Sequence, residues 1–291
     1  MPETILQFGG GRFLRGFVDV FVHVANGEGQ NIGKVVVVQS TEGERANALN
    51  EQGGRYHIVT RGIENGEVID RTDEIASVSR ALVAQTQWPE ILAVAASADL
   101  RYLVSNTTEK GLVLEPEDAH YVQGSDVPPK SFPAKVLVAL KHRYEAQGTP
   151  LIILPCELIE HNAERLKALV LQQAAEWNLD ATLIGWLETG CHWLNNLVDR
   201  IVSGTPAEHP LLETDRLLAV AEPYALWAIE DPSGALPLPT HPAIVRCSSV
   251  DPYFLRKVRI LNASHSALVN KAVPLGFKLV REAIADPEVR A

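Results

Sequence analysis

The chain is poor in cysteine. Its 291 residues hold three, Cys156, Cys191 and Cys247, far apart and odd in number. No CxxC pair or Cys/His ligand cluster is present, which argues against a disulfide framework and a structural zinc site, and no metal is expected. Also missing is any apolar run near the ~20 residues of a membrane span. The opening, Met1 to Phe8, has neither a basic stretch nor a long apolar core. No signal peptide is read there, and the cytoplasm is the expected location. Positive charge is in deficit, with a formal net charge of −10. Nucleic acid and anionic membranes both require a concentrated basic patch, so neither is an expected partner. A few local cations can still hold a small anion.

What is present is the composition of a soluble globular protein, 46% hydrophobic and 21% charged, long enough for one large or two ordinary domains. Thr4 to Phe8 is a short apolar run ending in Gly9-Gly10-Gly11. Arg12 to Val24 then carries Phe13, Phe17, Val20, Phe21 and Val24 at helical spacing, and Lys34 to Val38 is a β-branched run suited to a strand buried on both faces. Strand, glycine turn, helix and strand in this order form the βαβ unit of a dinucleotide-binding fold. Glycines let the backbone approach a pyrophosphate, whose charge is met by N–H groups. Gly9 and Gly11 fit the first two glycines of that fingerprint, whereas Leu14 stands at the third. A plain strand-to-helix turn is the competing reading. The second strand runs into Gln39-Ser40-Thr41-Glu42. Gln39 is the candidate for the adenine ribose, Glu42 falls slightly late, and Arg45 suits a 2′-phosphate. The expected cofactor is NAD, with NADP left open.

The alternation continues. Tyr56 to Arg61 and Glu67 to Arg71 flank Asn65-Gly66, a hairpin signal and an insertion beyond a minimal βαβ repeat. A helix is predicted over Trp88 to Ala96 and a strand over Tyr102 to Val104, which opens into Ser105-Asn106-Thr107-Thr108-Glu109-Lys110-Gly111. Loops beyond the carboxyl ends of parallel strands are where such sheets take ligands, and Asn106 and Thr107 offer short polar groups there. A helix over Phe132 to Gln147, a strand over Pro150 to Leu154, a helix over Glu164 to Trp177 and a strand over Thr182 to Trp186 follow. The expected architecture is an α/β, Rossmann-like, doubly wound parallel sheet with insertions, over residues 1–205. Seven prolines between Pro206 and Pro242 mark 206–245 as a connector with short strands. Residues 246–291 read as the start of a mainly α-helical second domain.

Several residues that invite a catalytic role are better read as structural. Cys156 shows no paired base, His161 and His192 lack metal-ligand spacing, and Trp177, Trp186, Trp193 and Trp227 are core candidates. Asp199-Arg200 is expected to be a structural ion pair or cap. Lys257-Val-Arg-Ile-Leu-Asn-Ala-Ser-His265 differs in kind, placing an amine, a carboxamide and an imidazole within nine residues. On an α-helix at ~100° per residue, Asn262 lies roughly 140° and His265 roughly 80° from Lys257. Spacing therefore permits a shared site without requiring one, and a solvated basic helix is the competing reading. The chemistry suits interconversion of a secondary alcohol and a ketone. Lysine moves a proton near neutrality where desolvation or neighbouring cations, here the flanking Arg256 and Arg259, disfavour its ammonium form. A carboxamide can steady a developing alkoxide.

These residues resemble the polyol-specific long-chain (mannitol) dehydrogenase family. Its Lys-x4-Asn-x2-His signature is matched by Lys257, Asn262 and His265, and its glycine turn followed by Phe-x-Arg by Gly9-Gly10-Gly11-Arg12-Phe13-Leu14-Arg15. Asn195-Asn196-Leu197-Val198-Asp199-Arg200 is similar to the family's Asn-Ser-x-Val-Asp-Arg. Within the family, Leu6 to Gly9, Val37 to Gln39, Ser105 to Glu109 and Leu154 to Ile159 are most similar to tagaturonate reductases (altronate oxidoreductases). The resemblance implies NAD-dependent interconversion of a keto-uronate and an aldonate. Lys257 would be the general acid/base, Asn262 and Asn195 would hold the reacting oxygen, and His265 would orient a neighbouring hydroxyl. Gly9, Gly10, Gly11, Arg12, Phe13, Gln39, Asn106 and Thr107 are the expected cofactor-binding residues. Fructuronate reductase and a mannitol-type polyol dehydrogenase are the alternatives in this class, and a non-catalytic cofactor-binding fragment is the alternative outside it. Family members continue well past the signature, so the helical domain is expected to be cut short here.

Overall fold

The computed structural model describes residues 1–41, 43–107 and 111–290. It divides into two units, Met1–Cys247 and Ser248–Ala291. The larger is built on β1 (Glu3–Phe8), α1 (Arg12–Arg15), α2 (Val18–Gly27), β2 (Lys34–Gln39), α3 (Arg45–Glu51), β3 (Tyr56–Glu64), β4 (Glu67–Ile75), β5 (Val78–Val83), α4 (Trp88–Ala96) and β6 (Tyr102–Ser105). It continues with α5 (Phe132–Glu145), β7 (Ile152–Pro155), α6 (Asn162–Glu176), α7 (Ala181–Gly185), β8 (His192–Trp193), β9 (Asn196–Asp199), β10 (Val202–Ser203), β11 (Ala219–Ala221), β12 (Leu226–Glu230) and β13 (Ile244–Cys247).

Six strands form the expected parallel sheet, in the order β5-β2-β1-β6-β7-β8. Strand side chains alternate between faces, and the two faces carry separate cores. Ile5, Val35 and Val37 pack with Phe17 and Phe21 on one side. Leu6, Phe8, Val36 and Val38 pack with Trp88, Val136 and Leu166 on the other. Burial on both faces is why β2 reads as an unbroken β-branched run. Two smaller sheets follow, β10-β11-β3-β4 and β13-β12-β9. The 206–245 stretch supplies β11 to the first and β12 to the second. Asn65 and Gly66 both take positive φ, 52° and 84°, and close the β3–β4 hairpin.

Two expectations are corrected. The helix predicted over Arg12 to Val24 breaks at Gly16-Phe17, because distant groups take the carbonyls that would continue it. Tyr56 OH donates to Arg15 O at 3.0 Å, and the Arg200 guanidinium donates to Gly16 O at 2.7 Å. Gly16 itself is pressed against Val202, whose Cγ1 would lie 2.8 Å from an added Cβ. The strand predicted over Thr182 to Trp186 is instead α7 and a following π-turn (Trp186–Gly190), since the Asp180 carboxylate caps it by accepting from Thr182 N at 2.7 Å. The sixth strand is the two-residue β8. Arg200 also donates to Glu222 O, so it acts as a clamp on carbonyls.

The smaller unit is helical. It runs α8 (Asp251–Arg256), a π-helical turn over Lys257–Asn262, α9 (Ala263–Ala272), α10 (Val280–Ala285) and α11 (Pro287–Arg290). Ala272, Ala283 and Val289 form its small core. Among the described residues, no helix is long and apolar enough to cross a membrane.

Candidate functional site

Because β2 and β6 lie on opposite sides of β1, their following loops diverge, and a cleft opens at the strands' carboxyl ends. It measures about 460 Å³ and is bordered by Gly9–Gly11, the end of β2 (Gln39, Ser40, Thr41) and the end of β6 (Asn106, Thr107). Gly9 takes φ +124°, where an added Cβ would stand 3.0 Å from Asn106 O. At Gly11 nothing lies within 4 Å of an added Cβ, so this part of the turn faces open space.

Arg15 anchors the turn from beneath. It is buried and donates from Nη1 to Gly10 O at 2.7 Å and from Nη2 to Leu217 O at 3.3 Å. The single Tyr56 hydroxyl proton is shared between Arg15 O and Asp19 Oδ2, the latter at 2.9 Å and one helical turn further on. Burial lowers the pKa of the Arg15 guanidinium. Burial also pushes the Asp19 carboxyl up to about 7, against the pull of the Tyr56 hydrogen bond and the Arg15 charge. The sequence presents Arg15 only as a motif letter. The signal available was an arginine and an aspartate four apart on an otherwise apolar helical face.

The walls of the cleft are tightly bonded. Gln39, the expected ribose partner, has its amide engaged: Nε2 donates to Thr41 O at 2.9 Å and Gly43 O at 2.6 Å, and Oε1 accepts from Ala46 N at 2.8 Å. The Asn106 amide donates to Cys156 O at 2.5 Å. Thr107 donates from both N and Oγ1 to Glu157 Oε1, and Ser105 Oγ donates to Glu157 Oε2. Burial raises the Glu157 pKa, offset by those hydrogen bonds. Glu157 thus ties the β6 and β7 loops together, a role that its place after a strand did not announce. Lys135, one turn into α5, also lines the cleft, and burial lowers it to about 8. Phe13 stacks on Phe17 at 5.0 Å, while Arg12 is exposed. Burial pushes the Cys156 thiol well up, as expected for an inert cysteine. Glu42 and Thr108, Glu109 and Lys110 lie outside the described residues.

Asn195 is buried at the N-terminus of α6. Its Oδ1 accepts from Ala163 N and Glu164 N, each at 3.2 Å, and its Nδ2 donates to Glu164 Oε1 at 2.9 Å. In the smaller unit, the signature occupies the π-helical turn. Backbone bonding in such a turn runs i→i+5, so Lys257 and Asn262 stand one turn apart on one side. They are not splayed by the 140° of an α-helix. His265 follows three residues on, on the neighbouring row of α9. Its Nδ1 lies 2.9 Å from Leu261 O. A carbonyl only accepts, so Nδ1 carries the proton and Nε2 is the acceptor of the neutral ring. Asn262 and His265 are exposed and Lys257 is half-exposed.

Residues 3–239 match the model of the mannitol dehydrogenase Rossmann domain, and residues 249–291 match that of the mannitol dehydrogenase C-terminal domain. The chain belongs to the mannitol dehydrogenase family. It is 38% identical over 304 residues to the altronate oxidoreductase of Bacillus subtilis (strain 168), covering 99% of this chain and 62% of that protein. Identity to the altronate oxidoreductase of Cronobacter sakazakii is 38%, over 100% of this chain and 62% of the relative. The chain therefore spans about 62% of the length of these curated relatives. Among solved structures it is similar to substrate-free D-sorbitol dehydrogenase, with TM-score 0.83, 22% identity, and coverage of 100% and 63% of the two chains. It is also similar to Pseudomonas fluorescens mannitol 2-dehydrogenase in ternary complex with NAD and D-mannitol, with TM-score 0.79, 23% identity, and coverage of 99% and 61%. At that identity, these two likenesses speak for the fold.

Proposed function

We propose that this family member acts in an oxidoreductase that interconverts tagaturonate and altronate, a keto-uronate and its aldonate, with NAD as the hydride carrier. The observation that carries the reading is the Lys257, Asn262 and His265 signature, borne on a π-turn that leads into α9, in a chain 38% identical to altronate oxidoreductases.

The cleft of the larger unit fits a dinucleotide. Gly11 leaves the backbone accessible, Ser40 and Thr41 offer small polar groups, and Arg45, Lys130 and Lys135 on the lining offset the charge of a pyrophosphate. When bound, the nicotinamide supplies the hydride in reduction and accepts it in oxidation. Lys257 gives a proton to the substrate oxygen as the ketone becomes an alcohol, and withdraws it in the reverse direction. The Asn262 amide donates to that oxygen as charge develops, without adding a charge of its own. His265 presents Nε2 as an acceptor that orients a neighbouring hydroxyl. Asn195 is assigned as a second oxygen-holding carboxamide, a role for which it would exchange its bond to Glu164. These roles need no metal.

Steady-state reduction of tagaturonate, fructuronate and fructose with NADH tests the assignment. Tagaturonate is expected to have the highest kcat/KM. A higher value for fructuronate or fructose would overturn it in favour of a fructuronate reductase or a polyol dehydrogenase. NADH binding without turnover on any of the three would make the chain a non-catalytic cofactor binder.

A further inference from the structure

Two successive carbonyls of the glycine turn are held from beneath, and the side chains that hold them meet at one buried carboxyl. Gln7, fully buried on β1, donates from Nε2 to Gly9 O at 3.2 Å, and Arg15 donates from Nη1 to Gly10 O at 2.7 Å. Carbonyl oxygens left loose at this turn would oppose a pyrophosphate, so the two bonds keep the cradle in shape. The carboxyl is that of Asp19, which is fully buried. Its Oδ2 shares the Tyr56 hydroxyl proton with Arg15 O, and its Oδ1 has no hydrogen-bond partner among the described residues. Gln7 Oε1 is likewise an acceptor without a donor. An ionised carboxylate adds acceptors to a cluster already short of donors, whereas a protonated one brings the missing O–H. Burial accordingly pushes the carboxyl up to about 7, against the Tyr56 hydrogen bond, the Arg15 charge and the Gln7 amide. The titratable and charged groups around it are Arg15 on α1 and Tyr56 on β3, with Arg45 on α3 and Asp215 ahead of β11 acting on those two. On α2 itself the next is His23, whose Nδ1 accepts from Ala76 N.

Ionisation of Asp19 acts on the turn in two ways. The carboxylate offers the Gln7 amide and the Arg15 guanidinium a charged acceptor in competition with Gly9 O and Gly10 O, and charge-assisted bonds are the stronger. It also offsets the Arg15 charge, which stands beneath the cradle and favours a bound anion. Both changes weaken the hold on a pyrophosphate. By reciprocity, a bound pyrophosphate favours the protonated carboxyl. We infer that Asp19 is a proton-dependent positioning residue for the dinucleotide. Protonated, it leaves Gln7 and Arg15 to the glycine turn, and the dinucleotide binds tightly. Ionised, it draws them off, and binding weakens. The inference rests on the dinucleotide reading above and adds one linked proton to it.

Fluorescence titration with NADH across a pH series tests this. From about pH 6 to about pH 8 the NADH Kd of the chain is expected to rise roughly fivefold or more. Lys135 also lines the cleft, and burial lowers it to about 8, so the comparison is made with Asp19→Asn, in which any Lys135 contribution persists. Asparagine keeps an N–H donor and cannot ionise, so this variant should lose most of the rise and bind at about pH 8 nearly as tightly as the parent does at about pH 6. Tyr56→Phe removes a donor to the ionised form and should move the midpoint of the rise to higher pH. Calorimetry of the parent chain in buffers of different ionisation enthalpy needs no variant, and near neutrality NADH binding should take up a fraction of a proton. Parallel pH profiles in parent and Asp19→Asn, or a uniform weakening of the variant at every pH, would overturn the inference and leave the dinucleotide reading intact. Binding without proton uptake would do the same. Failure of NADH to bind at any pH would overturn the two readings together.

Discussion

The glycine-turn cleft and the Lys257–His265 helix are built on opposite plans. In the cleft several polar side chains are committed. Arg15 holds Gly10, Gln39 holds its own loop, and Glu157 takes three hydrogen bonds from Ser105 and Thr107. On the helix, Asn262 and His265 are exposed, and the His265 ring bonds back to the Leu261 carbonyl one turn earlier. The difference matches the tasks proposed for them. Dinucleotide binding needs a backbone cradle held to a fixed shape. Proton transfer needs side chains presented for the substrate, and there the order comes from the backbone, through the π-turn.

The largest expected effect comes from breaking the larger unit away from the cleft, at a heavily bonded buried side chain. Arg143 is fully buried and donates to the carbonyls of Ala95, Ser97, Leu100 and Thr149. Arg143→Ala leaves these acceptors unmet and should cost on the order of 4 kcal/mol, read as the shift in a urea unfolding midpoint.

A pH dependence follows from Asp19. Its folded pKa, about 7, is raised by burial above the usual carboxyl value of 3.8. The folded state therefore holds a proton that the unfolded state releases, and stability falls as pH rises from about 4 to about 7. The range is up to about 4 kcal/mol. Asp19→Asn should flatten this slope, measured by unfolding at a series of pH values. An unchanged slope would show that Asp19 is ionised throughout. Gly9→Ala comes next, at about 2 kcal/mol, since φ +124° is strained for alanine and its Cβ would meet Asn106 O. NADH affinity should weaken with it.

The smallest effect is expected in the other region. Asn262→Ala and His265→Ala should change stability by less than about 0.5 kcal/mol, because both side chains are exposed. Their loss should appear in turnover.

The same contrast governs how much was legible in advance. β1, β2 and the Asn65-Gly66 hairpin could be read from the sequence because burial on both faces and a tight turn each impose a local pattern. The break at Gly16 could not, since Arg200 and Tyr56 impose it from far along the chain. Thr182 to Trp186 carries β-branched residues that favour a strand, whereas the Asp180 cap decides for a helix. The residues of the Lys257 signature were legible as chemistry. The turn that carries them was not, since a π-helical turn over Lys257–Asn262 leaves no mark in the residue periodicity. The roles of Arg15, Glu157 and Lys135 depend on burial, which leaves no local pattern in the sequence.

The central claim is that the larger unit binds the dinucleotide and that Lys257 moves the proton. Lys257→Ala tests it in a single preparation, by NADH titration and by tagaturonate reduction. The account predicts an NADH Kd within about twofold of the parent chain and a loss of roughly 10²–10⁴-fold or more in kcat. Near-parental turnover in Lys257→Ala would contradict it.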